Sequence, residues 1–368
     1  RNDLSITHGQ FGTIYASATL FSSLALVWVG KKIDDMDVFK FSLIVIILLS
    51  FACFFFSTIK YVPILFIGIF LLRLSGQGLM SHTATTTVAR YFEKTRGKAL
   101  SITWLGLSSA EFILPVLMVF LLSLISWRDI WTIISILVLI LLPILSFILI
   151  KNLKLTSREG STKSKEKIDV NIKQWKRAEV LKDYRFYILS LNMLSMPSIA
   201  TGVFVYQSFI VSSKNWGPFI MAQSFMIYSV MSVITLSLSG YLIDKYSSRK
   251  LIIYMNIPLF IAALILFLFE SPFSSFIFLG LIGITNGFAN VLGSSTWAEI
   301  YGVRYIGGIK ALTTGLMVFA TATGTAVFGI LIDAGYTINS IAIFSSIYIA
   351  IVVLLLFLFR KKIEPIYI

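Results

Sequence analysis

The chain has 368 residues, of which 57% are hydrophobic and only 13% charged, with a mean hydropathy of +0.89 and a net charge of +14. A soluble domain carries roughly 25% charged residues, so a water-facing globule is excluded. Two distant histidines, His8 and His82, and the lone Cys53 leave neither a metal set nor an intrachain disulfide.

In chain order, apolar runs occupy residues 8–29, 38–59, 63–88, 100–124, 130–150, 186–211, 216–239, 251–270, 274–297, 307–332 and 340–359. About 20 residues cross ~30 Å of hydrocarbon as a helix. Barrel strands would be half as long and alternating, whereas these runs are apolar all round. The fold class is therefore an all-α integral membrane protein with eleven spans. Of the 31 Lys and Arg residues, 26 fall in the connections of one side. Arg1, Lys60, Arg128 and Lys214 fall on the other, and Arg73 lies inside a span. The basic side is expected to be cytoplasmic, with the C-terminus on it and Arg1 outside. The asymmetry accounts for the positive charge without a nucleic-acid partner. The lipid bilayer, expected to be the plasma membrane (the inner membrane of a bacterium), is the partner implied. An even plan with both ends inside needs one more helix before Arg1, so the first helix is expected to be absent from this sequence.

Residues 151–184 form the one long polar stretch. The expected domains are an N-terminal bundle over 1–150, a basic cytoplasmic linker over 151–184, and a C-terminal bundle over 185–368. The linker composition predicts a solvated chain held near anionic lipid. A short interfacial helix bearing Ile172 and Trp175 is the other reading. The two flanking parts echo each other. Gly30 and Asp34 match Gly240 and Asp244 at an offset of 210, Pro63 matches Pro272 and Gly78 matches Gly287 at 209, and Lys98-Ala99-Leu100 matches Lys310-Ala311-Leu312 at 212. That is a parallel repeat about an axis along the membrane normal. With the absent helix restored, the plan is two six-helix bundles.

The Gly-x-x-x-Asp loops at Gly30–Asp34 and Gly240–Asp244 resemble the signature of the major facilitator superfamily. Arg73-Leu74-Ser75-Gly76-Gln77-Gly78 resembles its fourth-helix motif. The stretch Ala89–Ala99, the Trp127–Trp131 segment and Glu299-Ile300-Tyr301-Gly302 are similar to the monocarboxylate-porter-like and oxalate/formate-exchanger-like branches. The resemblance covers nearly the whole chain. It implies a transporter, not an enzyme, in which two bundles rock about a midplane site.

Only Arg73, His82 and Glu111 are ionisable and well inside spans. A charge there costs on the order of 2.5–3.5 kcal/mol on insertion scales, so it must face a cavity or a partner. Arg73 and Glu111 both lie near the midplane by residue count. Either they serve an anionic substrate and a coupled proton, or they form a fixed pair pinning two helices. His82 lies two turns nearer the cytoplasm, as a proton relay or a packing group. Candidate cavity-lining residues are Tyr15, Asn192, Tyr206, Gln207, Gln223, Tyr228, Asn286 and Asn290. Gly30, Asp34, Gly240, Asp244 and Arg249 read either as a cytoplasmic gate or as simple charge anchors. Pro115, four residues after Glu111, deprives the Glu111 carbonyl of its helical partner. No catalytic set and no cofactor motif is present. The expected activity is secondary active transport of a small organic anion such as a monocarboxylate, with H⁺ coupling or exchange, by a monomer. Efflux of drug-like amphipathic compounds and a non-transporting sensor on the same fold are the alternatives.

Overall fold

A computed structural model describes residues 1–30, 32–91, 96–151, 174–302 and 305–363. The described secondary structure is helical, without a strand, and eleven helices are long and apolar enough to cross a membrane. They are α1 (His8–Gly30), α2 (Val38–Ser57), α3 (Val62–Val88), α4 (Arg96–Leu124), α5 (Trp127–Ser146) and α6 (Tyr184–Val205). Next come α7 (Pro218–Tyr246), α8 (Ser248–Leu268), α9 (Ser274–Tyr301), α10 (Ile306–Asp333) and α11 (Ile338–Leu358). Their starts carry ordinary stop-and-start chemistry. Asp37, Ser126, Asp183 and Thr337 cap α2, α5, α6 and α11 by accepting backbone N–H groups. Proline occupies the first turn of α3 and α7.

The chain divides into two compact units. Unit 1 comprises Arg1–Leu107 and Leu117–Lys163, and unit 2 comprises Ser108–Val116 and Ser164–Ile368. The middle of α4 thus groups with the second unit.

In unit 1, α1 packs on α3 and α2 on α5. The α2–α5 seam is closed by a reciprocal pair: Ser50 Oγ donates to the Ser135 carbonyl at 2.9 Å and Ser135 Oγ to the Ser50 carbonyl at 2.8 Å. Helices in lipid gain no hydrophobic drive to associate, and small residues with such bonds, each worth ~0.6 kcal/mol, hold them instead. In unit 2 the same pairings recur as α7 on α9 and α8 on α11, together with α6 on α10. The α7–α9 approach is backbone to backbone. A Cβ on Gly283 would land on the Tyr228 carbonyl, and one on Gly287 would stand 2.6 Å from the Ser232 oxygen. Ser224 and Ser275 join the same two helices at 2.7 Å. No residue in the apolar window of α4 between Leu105 and Leu124 is buried.

Each unit is tied at the end predicted to face outward by one charged knot across three connections. In unit 1, Arg128 donates to Asp3 at 2.6 Å and to the Ile59 carbonyl at 3.2 Å, while Trp127 Nε1 donates to Asp3 at 3.0 Å. In unit 2, Lys214 Nζ donates to Glu270 at 2.8 Å and to the Phe269 carbonyl at 3.2 Å. Asn339 also donates to Glu270, at 3.2 Å, and Trp216 to its carbonyl at 2.7 Å. Asp3, Ile59 and Arg128 stand 210 or 211 residues before Lys214, Phe269 and Asn339. The knot is repeated with its charges exchanged between positions, which extends the repeat seen in the sequence.

Lys214, then Asn339, holds the Glu270 carboxyl below the usual carboxylate range. A lowered folded value stabilises the fold above the unfolded value of about 4.3, and that contribution disappears as pH falls through the folded value. Because the Glu270 side chain is 62% exposed, the term is small. Glu270→Gln is expected to lower Tm by about 2 °C at neutral pH. The difference from the parent should vanish in strong acid, as thermal unfolding across pH would show.

At the opposite, basic end of unit 2, the chain following the linker docks on protein. Trp175 N–H donates to the Tyr301 carbonyl at 3.0 Å, and its ring meets Tyr301 edge-on at 5.5 Å. Val180 is fully buried among Phe186, Ile252, Trp297 and Ile363. Trp175 therefore packs on α9, so the interfacial-helix reading does not describe it. Ile172 and the rest of the linker, 152–173, lie outside the described residues.

Candidate functional site

The third span is not uniform. Val62–Leu72 is α-helical, Arg73–Met80 forms wider π-type turns, and Ser81–Tyr91 is α-helical again. The π segment holds the glycine-containing motif Arg73-Leu74-Ser75-Gly76-Gln77-Gly78. Two glycines weaken the regular ladder, and such π segments concentrate at functional sites. Arg73 opens the segment. Its Nε donates to Thr19 Oγ1 at 3.1 Å, a terminal nitrogen donates to Gln77 Oε1, and the guanidinium lies 5.0 Å from the centre of the Tyr15 ring. Tyr15 and Thr19 are one turn apart on α1, so α1 offers a ring and a hydroxyl to the same cation. All of these partners are neutral. The sequence singled out Arg73 and Tyr15 separately, and unit 1 brings them together. Gln77 as the third partner was not expected, although its i, i+4 spacing from Arg73 is one at which helical side chains meet.

His82 sits one residue past the π segment. Its Nε2 is 3.2 Å from the Gly30 carbonyl, and the ring packs on Gly30. With the Nε2–H tautomer it fastens α3 to the last residue of α1, joining a candidate relay to a candidate gate residue. The side chains of Asp34 and Asp244 lie outside the described residues. Around Gly240 nothing described comes within 4 Å of a Cβ position, so no close approach occurs there.

Arg249 donates from Nε to the Ile363 carbonyl at 2.6 Å. Its backbone N–H and that of Ser248 reach Glu299 at 3.3 and 3.0 Å, and Ser247 Oγ donates to Glu299 at 2.5 Å. Glu299 thus caps the start of α8 from α9, where a carboxylate is favoured by the exposed N–H groups. The sequence showed Glu299 only as part of a resemblance, because its acceptor role needs a turn 50 residues away.

Glu111 lies in the part of α4 that groups with unit 2, and it is partly buried. One turn before it, the Ser108 carbonyl accepts from Ser229 Oγ on α7 at 2.6 Å. The preceding α7 residue is Tyr228. The Tyr228 ring is buried against Phe204 and Phe225. Arg73 belongs to unit 1 and Glu111 to unit 2.

The other candidates separate by burial. Asn192 is fully buried and acts as a strut: it donates to the Ile252 carbonyl at 3.1 Å and accepts from Asn256 at 2.8 Å. Its buried amide is used up between helices, so a cavity-lining role does not fit it. Tyr206 and Tyr228 are buried in the apolar core of unit 2 and do not fit that role either. Asn286 donates to Ser232 at 2.9 Å. Gln207, Gln223 and Asn290 are exposed.

The sequence profile of the Major Facilitator Superfamily matches residues 1–313. The chain belongs to this superfamily. A search of curated proteins gives no match. Among solved structures, a bacterial homologue of the human lysosomal transporter Spinster, in an inward-facing and unoccupied conformation, superimposes with a TM-score of 0.69 at 14% identity. The match covers 98% of this chain and 91% of that one. The nucleoside transporter NupG superimposes with a TM-score of 0.68 at 14% identity, over 98% of this chain and 92% of its own. At such identity these likenesses bear on fold alone. The superfamily assignment makes this chain a multi-pass membrane protein of a transporter family.

Proposed function

We propose that this superfamily member is a secondary active transporter of a small organic anion, such as a monocarboxylate, working by alternating access. The observation that carries this reading is Arg73. It is a guanidinium within a span whose described partners, Thr19, Gln77 and the Tyr15 ring, are all neutral. They orient the fork without cancelling its charge. An uncompensated cation in a span is costly, and an anionic cargo supplies the missing charge. Glu111 is assigned the coupling proton, with exchange as the other mode of the same site. Gln223 and Asn290 are offered as hydrogen-bonding groups for the cargo. The basic connections and the C-terminus are assigned to the cytoplasm by their charge, and the membrane to the plasma membrane.

The test is uptake by the purified protein in proteoliposomes, with labelled monocarboxylates, dicarboxylates, nucleosides and lipophilic cations in parallel. Saturable uptake of a monocarboxylate, raised by an inside-alkaline gradient, is the expected result. Transport confined to nucleosides or other uncharged solutes, or to lipophilic cations, would sink the anion assignment.

A further inference from the structure

On the surface of unit 2, between α8 and α11, runs an apolar groove of about 240 Å³ lined by Ile257, Phe260, Ala350, Val353, Leu354 and Phe357. Its lining residue Phe357 meets Tyr254 edge-on, ring centres 5.7 Å apart. Just beyond that pair stand two lysines, Lys250 in the first turn of α8 and Lys361 in the short helical turn Arg360–Ile363 that follows α11. Lys250 precedes Tyr254 by four residues and Lys361 follows Phe357 by four. The two helices run in opposite directions, so both lysines come to the same end of the groove.

We propose that this groove is a binding site for an anionic phospholipid, with an acyl chain along the apolar wall and the phosphate on Lys250 and Lys361. Three observations support it. The walls are apolar from end to end, and Leu354, at 60% exposure, leaves the groove open to the bilayer. The neighbouring cations are already engaged, Arg249 with the Ile363 carbonyl and Lys362 over the Tyr184 ring. Lys250 and Lys361 take no partner among the described residues. In sequence, Lys40, Phe147 and Lys151 stand 210 residues before Lys250, Phe357 and Lys361, with Ile44 where unit 2 has Tyr254. There Phe39 meets Phe147 edge-on at 6.2 Å. Orienting a membrane protein needs basic residues somewhere on one side. It does not need two of them to recur at one offset beside a matching phenylalanine. An anionic headgroup gains from each lysine near the membrane surface, while a zwitterionic one gains little. The site is independent of what the protein carries.

The experiment uses the full chain, delipidated and then offered phosphatidylglycerol or phosphatidylcholine in detergent. Native mass spectrometry counts the retained lipids and thermal unfolding reads their effect. Phosphatidylglycerol is expected to be retained preferentially and to raise Tm more. Lys250→Gln and Lys361→Gln should each weaken its retention about fivefold, and the double variant about 25-fold. Phosphatidylcholine should be unaffected by either substitution. Leu354→Trp, which fills the groove without touching charge, should release one lipid of either kind. Equal retention of the two lipids by the parent protein would overturn the proposal. So would unchanged phosphatidylglycerol binding by the double variant, or stabilisation reproduced by inorganic phosphate alone.

Discussion

Arg73→Ala is expected to reduce kcat/KM for an anionic cargo about a hundredfold while leaving the protein folded and inserted. The guanidinium presents a planar fork, and two charge-assisted bonds to a carboxylate are together worth ~3 kcal/mol or more. That converts to about two decades. Stability should not fall with it, because removing a span arginine also removes an insertion cost of about 2.5–3.5 kcal/mol. The neutral partners Thr19, Gln77 and Tyr15 lose only modest bonds. Arg73→Lys discriminates between charge and geometry. A lysine keeps the charge but neither the fork nor its stacking on the Tyr15 ring, so an intermediate loss of roughly tenfold is expected. Uptake by liposomes, normalised to folded protein from size-exclusion chromatography, is the measurement. Wild-type anion uptake in Arg73→Ala would end the assignment. Equal loss for charged and uncharged solutes would reassign Arg73 to holding α3 on α1.

Most of the fold was legible because hydrophobic length is read locally. The runs at 8–29 and 340–359 became α1 and α11 with ends shifted by a residue or two. The run at 216–239 became a longer helix, reaching Tyr246, because nothing in its charged end stops helix formation. The helix over 251–270 starts earlier, at Ser248, and passes through a tighter turn at Ile252–Tyr254 that its uniform apolarity gave no reason to expect.

Side-chain partners were far less legible. The reciprocal Ser50–Ser135 bonds join residues 85 apart, and the buried Asn192–Asn256 pair joins residues 64 apart. Nothing in the local pattern of either segment names the other. Asn192 looked like a cavity residue because a polar group in a span needs satisfaction, and a neighbouring helix satisfies it as well as a cargo does. Arg73 was visible because a charge in an apolar run has no structural excuse, yet Tyr15 and Thr19 emerged as its partners only with the packing of α1 on the π segment. The repeat lay between these extremes. Glycine and proline landmarks betrayed it in sequence, whereas the charged knots hid it by exchanging acid for base between Asp3 and Lys214.

Glu111→Gln is expected to abolish uptake driven by a pH gradient while leaving cargo exchange intact. Glutamine keeps the size and hydrogen-bonding shape of the carboxyl but cannot carry a proton, so it separates titration from packing. Two features of the chain make the position suited to coupling. Pro115 removes the N–H that would bond the Glu111 carbonyl, loosening α4 at that turn. One turn before Glu111, the Ser108 carbonyl is held by Ser229, so the segment is anchored on one side of a weak point and free to bend on the other. A proton arriving at Glu111 removes its charge and changes what that stretch of α4 costs to bury. A carrier that must be neutralised before it reorients will accumulate cargo only when protons are supplied. An exchanger that reorients with cargo bound has no such need, so exchange measures the unperturbed part of the cycle in the same variant. The paired assay is accumulation under an imposed pH gradient against counterflow at equal pH. Retained gradient-driven accumulation in Glu111→Gln would remove the proton role. Loss of both modes with a lowered Tm would make Glu111 a packing group of α4.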